Sequence, residues 1–286
     1  MIEETACAKI NLTLSVGEKR SDGYHTIDSI MHSISLCDDI TLERAEDISL
    51  TIVEGRAPSG KENLMVKAAE LFLREKGISG GVRMTLAKHI PSEAGMGGGS
   101  SDAAAVLRGL ARLYGTGDGL ETLAAMGASL GADVPFCVRG GACRCEGIGE
   151  VLVPLTPWPG LPLLIVRPET SVSTGEAYRL LDGRDKRPKD RTEESMKALA
   201  DRNRQELYES LSNDFEDALF PKNEVLEETS SILHSLGRPT LMTGSGSAFF
   251  LFPKDRKEGK ALAEDIKKSH PSWFVETAET VGRRQN

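Results

Sequence analysis

No stretch of this chain is apolar for long enough to cross a bilayer, because the longest runs, "LPLLIV" and "AFFLF", have the length of buried strands. The chain also lacks an excess of positive charge. With 35 Lys and Arg against 43 Asp and Glu, the net charge is −8, which argues against a general nucleic-acid binder. A local basic pocket for a small anion stays open. The start, "MIEETACAKI", has no basic-then-apolar layout of a signal peptide. These absences lead us to expect a cytoplasmic protein with neither membrane nor nucleic acid as a partner. No CxxC pair occurs, and the "CRC" at 143–145 has the wrong spacing for a redox motif or a zinc clip. The five cysteines, at 7, 37, 137, 143 and 145, therefore read as reduced thiols. No Cys or His cluster encodes a metal site, and there is no internal repeat or low-complexity tract.

What is present is ordinary globular composition, 39% hydrophobic and 27% charged over 286 residues, enough for one large domain or two medium ones. "AKINLTLSV" alternates, with Ile10, Leu12, Leu14 and Val16 on one face and Lys9, Asn11, Thr13 and Ser15 on the other. It predicts a half-buried strand with Lys9 and Asn11 side by side on its open face. An Asp-Gly turn in "SDGYH" leads to a second strand, "HTIDSIMHSISL", and further strands are expected at "DDITLERA" and "DISLTIVE". A helix from Glu62 closes at Gly77, and "GVRMTLAKHI" is a strand running into "PSEAGMGGGSS". The helix "SDAAAVLRGLARLYG" follows, then the helix "DGLETLAAMGASLG", then "ADVPFCVRGG", read as an apolar strand. Four prolines in "VPLTPWPGLP" (153–162) mark the best domain boundary. Beyond it come a strand at 162–167, a charged stretch at 182–195, helices near 193–219 and 222–236, the strands "TLMTG" and "SAFFLF" around "GSGS", and a last helix near 255–268. The order is that of an α+β layout rather than regular βαβ units.

Three constellations could carry chemistry. The first is strand, glycine loop and helix at Gly95, Met96, Gly97, Gly98, Gly99, Ser100 and Ser101. A helix N-terminus offers unpaired N–H groups and partial positive charge, and glycines let backbone close on a phosphate. The serines could cap the helix, bind a phosphate oxygen or hold a magnesium-bound water. Read alone, the segment is open between a phosphate cradle and a mobile turn with Ser101 as an N-cap. It is not a Walker loop, since no lysine follows the glycines, and Ser100 breaks the GxGxxG dinucleotide pattern. The second is Asp133 in "GADVPFCVRGG", an acid that could take a substrate proton with Lys9 stabilising phosphate charge. Taken singly, Asp133 reads as a turn cap and Lys9 as a surface lysine, and neither marks a site. The third is "MTGSGSAFF", a hairpin or a close-approach loop.

In this order the features resemble the GHMP kinases: an N-terminal lysine strand, a central glycine loop unlike Walker's, and a late glycine motif. The stretches "AKINLTLSVGEKRSDGYHTIDSIM", "IPSEAGMGGGSSDAAAVL" and "LGADVPFCVRGGACRCEGIGE" are most similar to the isoprenoid-precursor branch of that family, with "VSTGEAY", "NDFE" and "MTGSGSAFF" matching later. The resemblance implies a ribosomal-protein-S5-like ATP-binding domain over 1–155 and a ferredoxin-like domain over 156–286 that adds to the substrate cleft. It implies ATP as co-substrate with Mg²⁺, a cytidyl diphosphate alcohol as acceptor at its 2-hydroxyl, and a monomer or homodimer. By the same resemblance Asp133 is the general base and Lys9 the stabilising cation, the loop Gly95–Ser101 holds the ATP phosphates, and Asn11 contacts substrate. Tyr24 and His25 resemble a cytosine clamp, completed by Thr174 and by Tyr178 on the opposite face. Met96 replaces the family's usual leucine, a volume-conserving change. The metal ligands are not readable, with Ser100, Ser101 and Asp133 as candidates. The alternatives are a homoserine- or mevalonate-type kinase of the same family, or a ligand-sensing relative without activity.

Overall fold

Two long antiparallel strands, β1 (Ile2–Lys19) and β2 (His25–Ala45), organise the first half of the chain. The structure, a computed structural model, describes residues 1–182 and 190–283. After the pair come β3 (Ser49–Glu54), α1 (Leu64–Glu75), β4 (Gly81–Ala87), α2 (Gly98–Tyr114), α3 (Leu120–Gly127), α4 (Val134–Arg139), β5 (Ala142–Glu146) and β6 (Val151–Leu155). The second half runs β7 (Pro162–Arg167), α5 (Thr174–Asp182), α6 (Thr192–Asp201), α7 (Arg204–Glu209), β8 (Ser212–Asn213), α8 (Asp214–Leu219), α9 (Glu224–Ser235), β9 (Thr240–Met242), β10 (Phe249–Leu251), α10 (Arg256–Ser269) and β11 (Phe274–Glu279). The first sheet has the order β3-β4-β2-β1-β8, with β5 on β2 and β6 on β5; the second is antiparallel, β11-β7-β10-β9. Among the described residues no helix is long and apolar enough to cross a membrane.

The apolar face of β1 packs as its alternation demands: Ala8, Ile10 and Leu12 are buried with Leu161, Leu163, Ile165 and Phe250 of the second half. The polar face is covered too, against the expectation of an open one, since Lys9, Asn11 and Thr13 are 4%, 1% and 0% exposed. The register between β1 and β2 shifts between Cys7 and Lys9 and again between Asn11 and Thr13. Such irregularities re-aim side chains, and here they bracket the two polar residues. β8, some 200 residues downstream in sequence order, then pairs parallel with Thr13 and Leu14, so the lysine strand is held from both halves. Behind the sheet, α1 buries Met65, Ala69 and Phe72, the larger two worth about 1.5–3 kcal/mol each. Its end at Lys76 and Gly77, the latter at φ +60°, is the glycine stop the sequence indicates. α2 is buried from Ser101 to Ala111, and Ala103, Ala104 and Ala105 let it lie deep against the sheet.

Four readings change. "VPFCVR" is the helix α4, not a strand: Pro135 sits in its first turn, where the missing N–H is not needed, and Gly140 ends it. A short, wholly apolar run has no period to separate the two states. "DDITLERA" is the continuation of β2 rather than a new strand, and the 193–219 helix is three, α6, α7 and α8, broken at Asn203 and Asn213, each of which caps the helix that follows. Cys7 and Cys37 are joined as a disulfide across β1 and β2, with Cα atoms 3.9 Å apart. The two are 30 residues apart in sequence, and only strand register brings them opposite each other. Cys137, Cys143 and Cys145 are free and buried, as expected of thiols. Of the charged stretch 182–195, residues 183–189 lie outside the described residues.

Candidate active site

The head of α2 opens on a cavity of about 690 Å³ lined by β1, the glycine loop, α5 and the turn after β9. Gly97 is the helix N-cap in left-handed conformation, with no side chain to satisfy the first N–H groups. The first intrahelical bond is donated by Ser101 N–H to the Gly97 carbonyl, so the amides before it are free to face an anion. Ser101 is neither N-cap nor cavity-lining: its hydroxyl donates to the Cys7 carbonyl at 2.7 Å and pins α2 to β1. Ser100 does line the cavity. Met96 is buried and its carbonyl accepts the Lys9 N–H, tying loop to lysine strand.

Backbone packs on backbone where the two glycine loops meet. A Cβ on Gly95, at φ +72°, would stand 2.1 Å from the Thr243 carbonyl oxygen, and one on Gly244 would stand 2.7 Å from the Gly95 carbonyl oxygen. Ala248 N–H donates to the Ala94 carbonyl, and Thr243 Oγ1 accepts the Asn11 N–H at 3.1 Å. "MTGSGSAFF" is thus both a hairpin and a close-approach loop. The "NDFE" motif holds it from behind. Asn213 Nδ2 donates to the carbonyls of Met242 and Gly244, Glu216 accepts the Met242 N–H, and Asp214 accepts the Val16 N–H of the lysine strand. Burial pushes the Glu216 carboxyl up to about 7, against the pull of that backbone N–H.

Lys9 and Asp133, 124 positions apart in sequence, meet on this floor with Nζ and Oδ2 3.7 Å apart. Lys9 also donates to Asn11 Oδ1 at 2.6 Å, while Asn11 Nδ2 donates to Ser29, fixing which way the amide faces. Asp133 precedes α4 but makes no capping bond with its side chain, so the carboxylate is not used as a turn cap. A Cβ on Gly97 would stand 3.3 Å from Lys9 and 3.5 Å from Asp133, which puts the glycine loop directly over the pair.

At the other end of the cavity, Tyr24 is 61% exposed on the turn between β1 and β2. His25 is buried and lies flat over Tyr178, ring centroids 5.0 Å apart at 16°. Tyr178 meets Phe215 edge-on at 5.0 Å, and burial, helped by the negative charge of Asp133, raises its phenol to about 12. Thr174 Oγ1 is 3.1 Å from Ser245 Oγ, linking α5 to the late glycine loop. Of the fourteen candidate site residues, twelve line the cavity, all but His25 and Ser101. In this structure the ring stacked on Tyr178 is that of His25.

The sequence reading did not single out Lys88, which sits 7% exposed beneath Gly98. It bridges Asp38 at 2.5 Å and Asp102 at 2.6 Å, and Asp38 also accepts the N–H groups of His89 and Ile90. Burial, with Asp38 adding and Lys88 opposing, raises the Asp102 carboxyl above the usual carboxylate range, and its Oδ1 is buried without a hydrogen bond. A lysine ending a strand looks like any other; only the two acids, 14 and 50 positions away, make it distinct. Ala57, Pro58, Asn63, Leu64 and Pro91 add a largely apolar recess near the loop. Among the described residues no group of three or more His, Cys, Asp and Glu is arranged for a metal ion.

A glycine loop without a Walker lysine, at the head of a buried helix and above a Lys–Asp pair, defines the class: a small-molecule kinase of the GHMP type. Residues 63–141 match the GHMP kinases N terminal domain and residues 195–272 the GHMP kinases C terminal domain. A 4-diphosphocytidyl-2-C-methyl-D-erythritol kinase from Caldicellulosiruptor saccharolyticus is 38% identical, covering 92% of this chain and 91% of its own. One from Macrococcus caseolyticus is 37% identical over 93% and 95%. The crystal structure of a 4-(cytidine 5'-diphospho)-2C-methyl-D-erythritol kinase superposes with a TM-score of 0.83 at 35% identity, covering 98% of this chain and all of the other. The chain belongs to the 4-diphosphocytidyl-2-C-methyl-D-erythritol kinase family of the GHMP kinases. A homoserine kinase from Cytophaga hutchinsonii, TM-score 0.71 at 15% identity and full coverage of this chain, shares the fold.

Proposed function

We propose that this protein transfers the γ-phosphoryl group of ATP to the 2-hydroxyl of 4-diphosphocytidyl-2-C-methyl-D-erythritol, with Asp133 as base and Lys9 as the stabilising cation. The observation that carries the mechanism is the Lys9–Asp133 pair at 3.7 Å under the glycine loop, in the cavity that a nucleotide would share. In this reading the ATP phosphates lie on the free N–H groups of α2 and the adenine takes the recess by Ala57, Pro58 and Leu64. The Asp133 carboxylate takes the proton of the 2-hydroxyl as its oxygen attacks the γ-phosphorus and the bond to the ADP oxygen breaks. Lys9, aimed by Asn11, holds positive charge beside the equatorial oxygens. Positioning and electrostatics supply the rate, because phosphoryl transfer asks for little covalent chemistry from the protein.

The donors at the head of α2 suit Mg²⁺ carried in with ATP. Ser100 offers a hydroxyl and Asp102 a buried, unbonded carboxyl oxygen, and the ion keeps few protein ligands when phosphates supply the rest. When bound it would neutralise phosphate charge. Ser101 is the weaker candidate because its hydroxyl already donates to Cys7. At the far end Tyr24 offers a free ring face to a cytosine, with His25, Thr174 and Tyr178 around it. An ADP-release assay with Mg-ATP and the cytidyl substrate, homoserine or mevalonate tests the reading. Turnover with the cytidyl substrate alone is expected, and turnover with homoserine or mevalonate alone would overturn it.

A further inference from the structure

The last residue of α5 opens the charged stretch that no motif of the sequence accounts for, and its carboxylate bridges two residues of the first half. Asp182 Oδ2 accepts from Lys19 Nζ at 2.7 Å, and Asp182 Oδ1 is 2.6 Å from His25 Nε2. Lys19 and His25 are register partners at the base of the hairpin that carries Tyr24. One carboxylate from the second half therefore grips both strands of that hairpin, on the helix that also supplies Thr174 and Tyr178.

The grip has a chemical consequence. An ionised carboxylate only accepts, so His25 Nε2 must carry the proton that bridges to Asp182. The Lys19 and His25 hydrogen bonds hold the Asp182 carboxyl below its ordinary range, which keeps it an acceptor. In the neutral imidazole so oriented, Nδ1 is an acceptor, and no hydrogen bond occupies it among the described residues. The stack on Tyr178 fixes the plane of the ring. A cytosine edge presents an amino donor where uracil presents a carbonyl acceptor. An acceptor nitrogen matches the first and repels the second.

We infer that Asp182 is a positioning residue that fixes the proton of His25 on Nε2 and so sets a preference for cytidyl over uridyl substrates. The inference rests on the reading of Tyr24 and His25 as the base pocket. Its stabilising role is small by contrast, since Lys19 and Asp182 are 53% and 34% exposed and exposed ion pairs hold little folding energy.

The test is Asp182→Asn, whose amide is close in shape but can donate as well as accept, so the imidazole proton is no longer assigned. Steady-state assays with cytidyl and uridyl substrates should show KM for the cytidyl substrate raised by about tenfold and the cytidyl-over-uridyl preference in kcat/KM reduced by about tenfold, a loss typical of one mispaired polar contact. The kcat and the KM for ATP should hold within about twofold, with Tm unchanged. Asp182→Glu, which keeps an accepting carboxylate, should recover part of the preference. His25→Ala run alongside separates the two layers. If His25→Ala loses cytidyl affinity and preference while Asp182→Asn keeps both, the inference about Asp182 is wrong and the pocket reading stands. If His25→Ala changes neither, the pocket reading fails and takes the inference with it. A fall in kcat with both KM values rising together in Asp182→Asn would mark a general structural role and overturn the proposal.

Discussion

The two ends of the cavity are built differently. At the glycine-loop end, position is set by backbone: Gly95 and Gly244 touch main chain, Met96 bonds Lys9 N–H, and Lys88 is locked between two buried acids. At the Tyr24 end, position is set by side chains on the rim, with Tyr24 61% exposed and the Lys19–Asp182 pair open to water. The proposed phosphoryl transfer, which depends on sub-ångström placement, would fall where the packed interior over-determines position. The hairpin of Tyr24, where the proposed base pocket lies, is linked to the second half through the Asp182 carboxylate.

The largest effect that would sharpen this contrast is expected from Gly95→Ala. The new methyl meets the Thr243 carbonyl at 2.1 Å, at a φ of +72° that alanine resists, for a combined cost of about 2–4 kcal/mol. Thermal unfolding should shift down by roughly 5–15 °C, with ATP turnover falling at least about a hundredfold as the glycine loop moves off the Lys9–Asp133 pair. Normal Tm and normal KM for ATP would show that the two loops do not need this contact.

Tyr24→Ala should give a smaller and cleaner effect. Losing one base–aromatic stack, worth about 1–3 kcal/mol, should raise KM for the cytidyl substrate roughly 5- to 150-fold while leaving KM for ATP and Tm alone, because the ring is exposed and supports no core. An unchanged KM in steady-state kinetics would remove Tyr24 from the pocket. A large fall in Tm would contradict the claim that the rim is built for binding rather than for stability.

The contrast also explains what could be read from sequence. The strand at Lys9, the glycine loop, the helix after it and the glycine stop at Gly77 are each written in local period and punctuation, and the structure has them. The alternation of β1 even sorted its apolar face correctly, but it could not say that the polar face would be covered by the second half of the chain. Meetings across long separations were invisible: Lys9 with Asp133 was reached through a family resemblance, not through spacing, and Lys88 with Asp38 and Asp102 was missed altogether. Cys7 and Cys37 are paired by register alone. "VPFCVR" failed for a different reason, since a run with no polar positions has no period to read. Asp182 opens a charged stretch that no motif singles out, and only its two partners from the hairpin make it distinct.

The central claim is that Asp133 takes the proton of the accepting hydroxyl while Lys9 and the glycine loop hold the phosphates. Asp133→Asn tests it most directly, measured as turnover in the ADP-release assay together with calorimetric affinities for ATP and for the cytidyl substrate. Among the described residues the carboxylate makes no capping bond and its ion pair is with Lys9, so both affinities should stay within a few-fold while kcat falls by roughly 10²–10⁴. A kcat near that of the unaltered protein, with binding intact, would contradict the account.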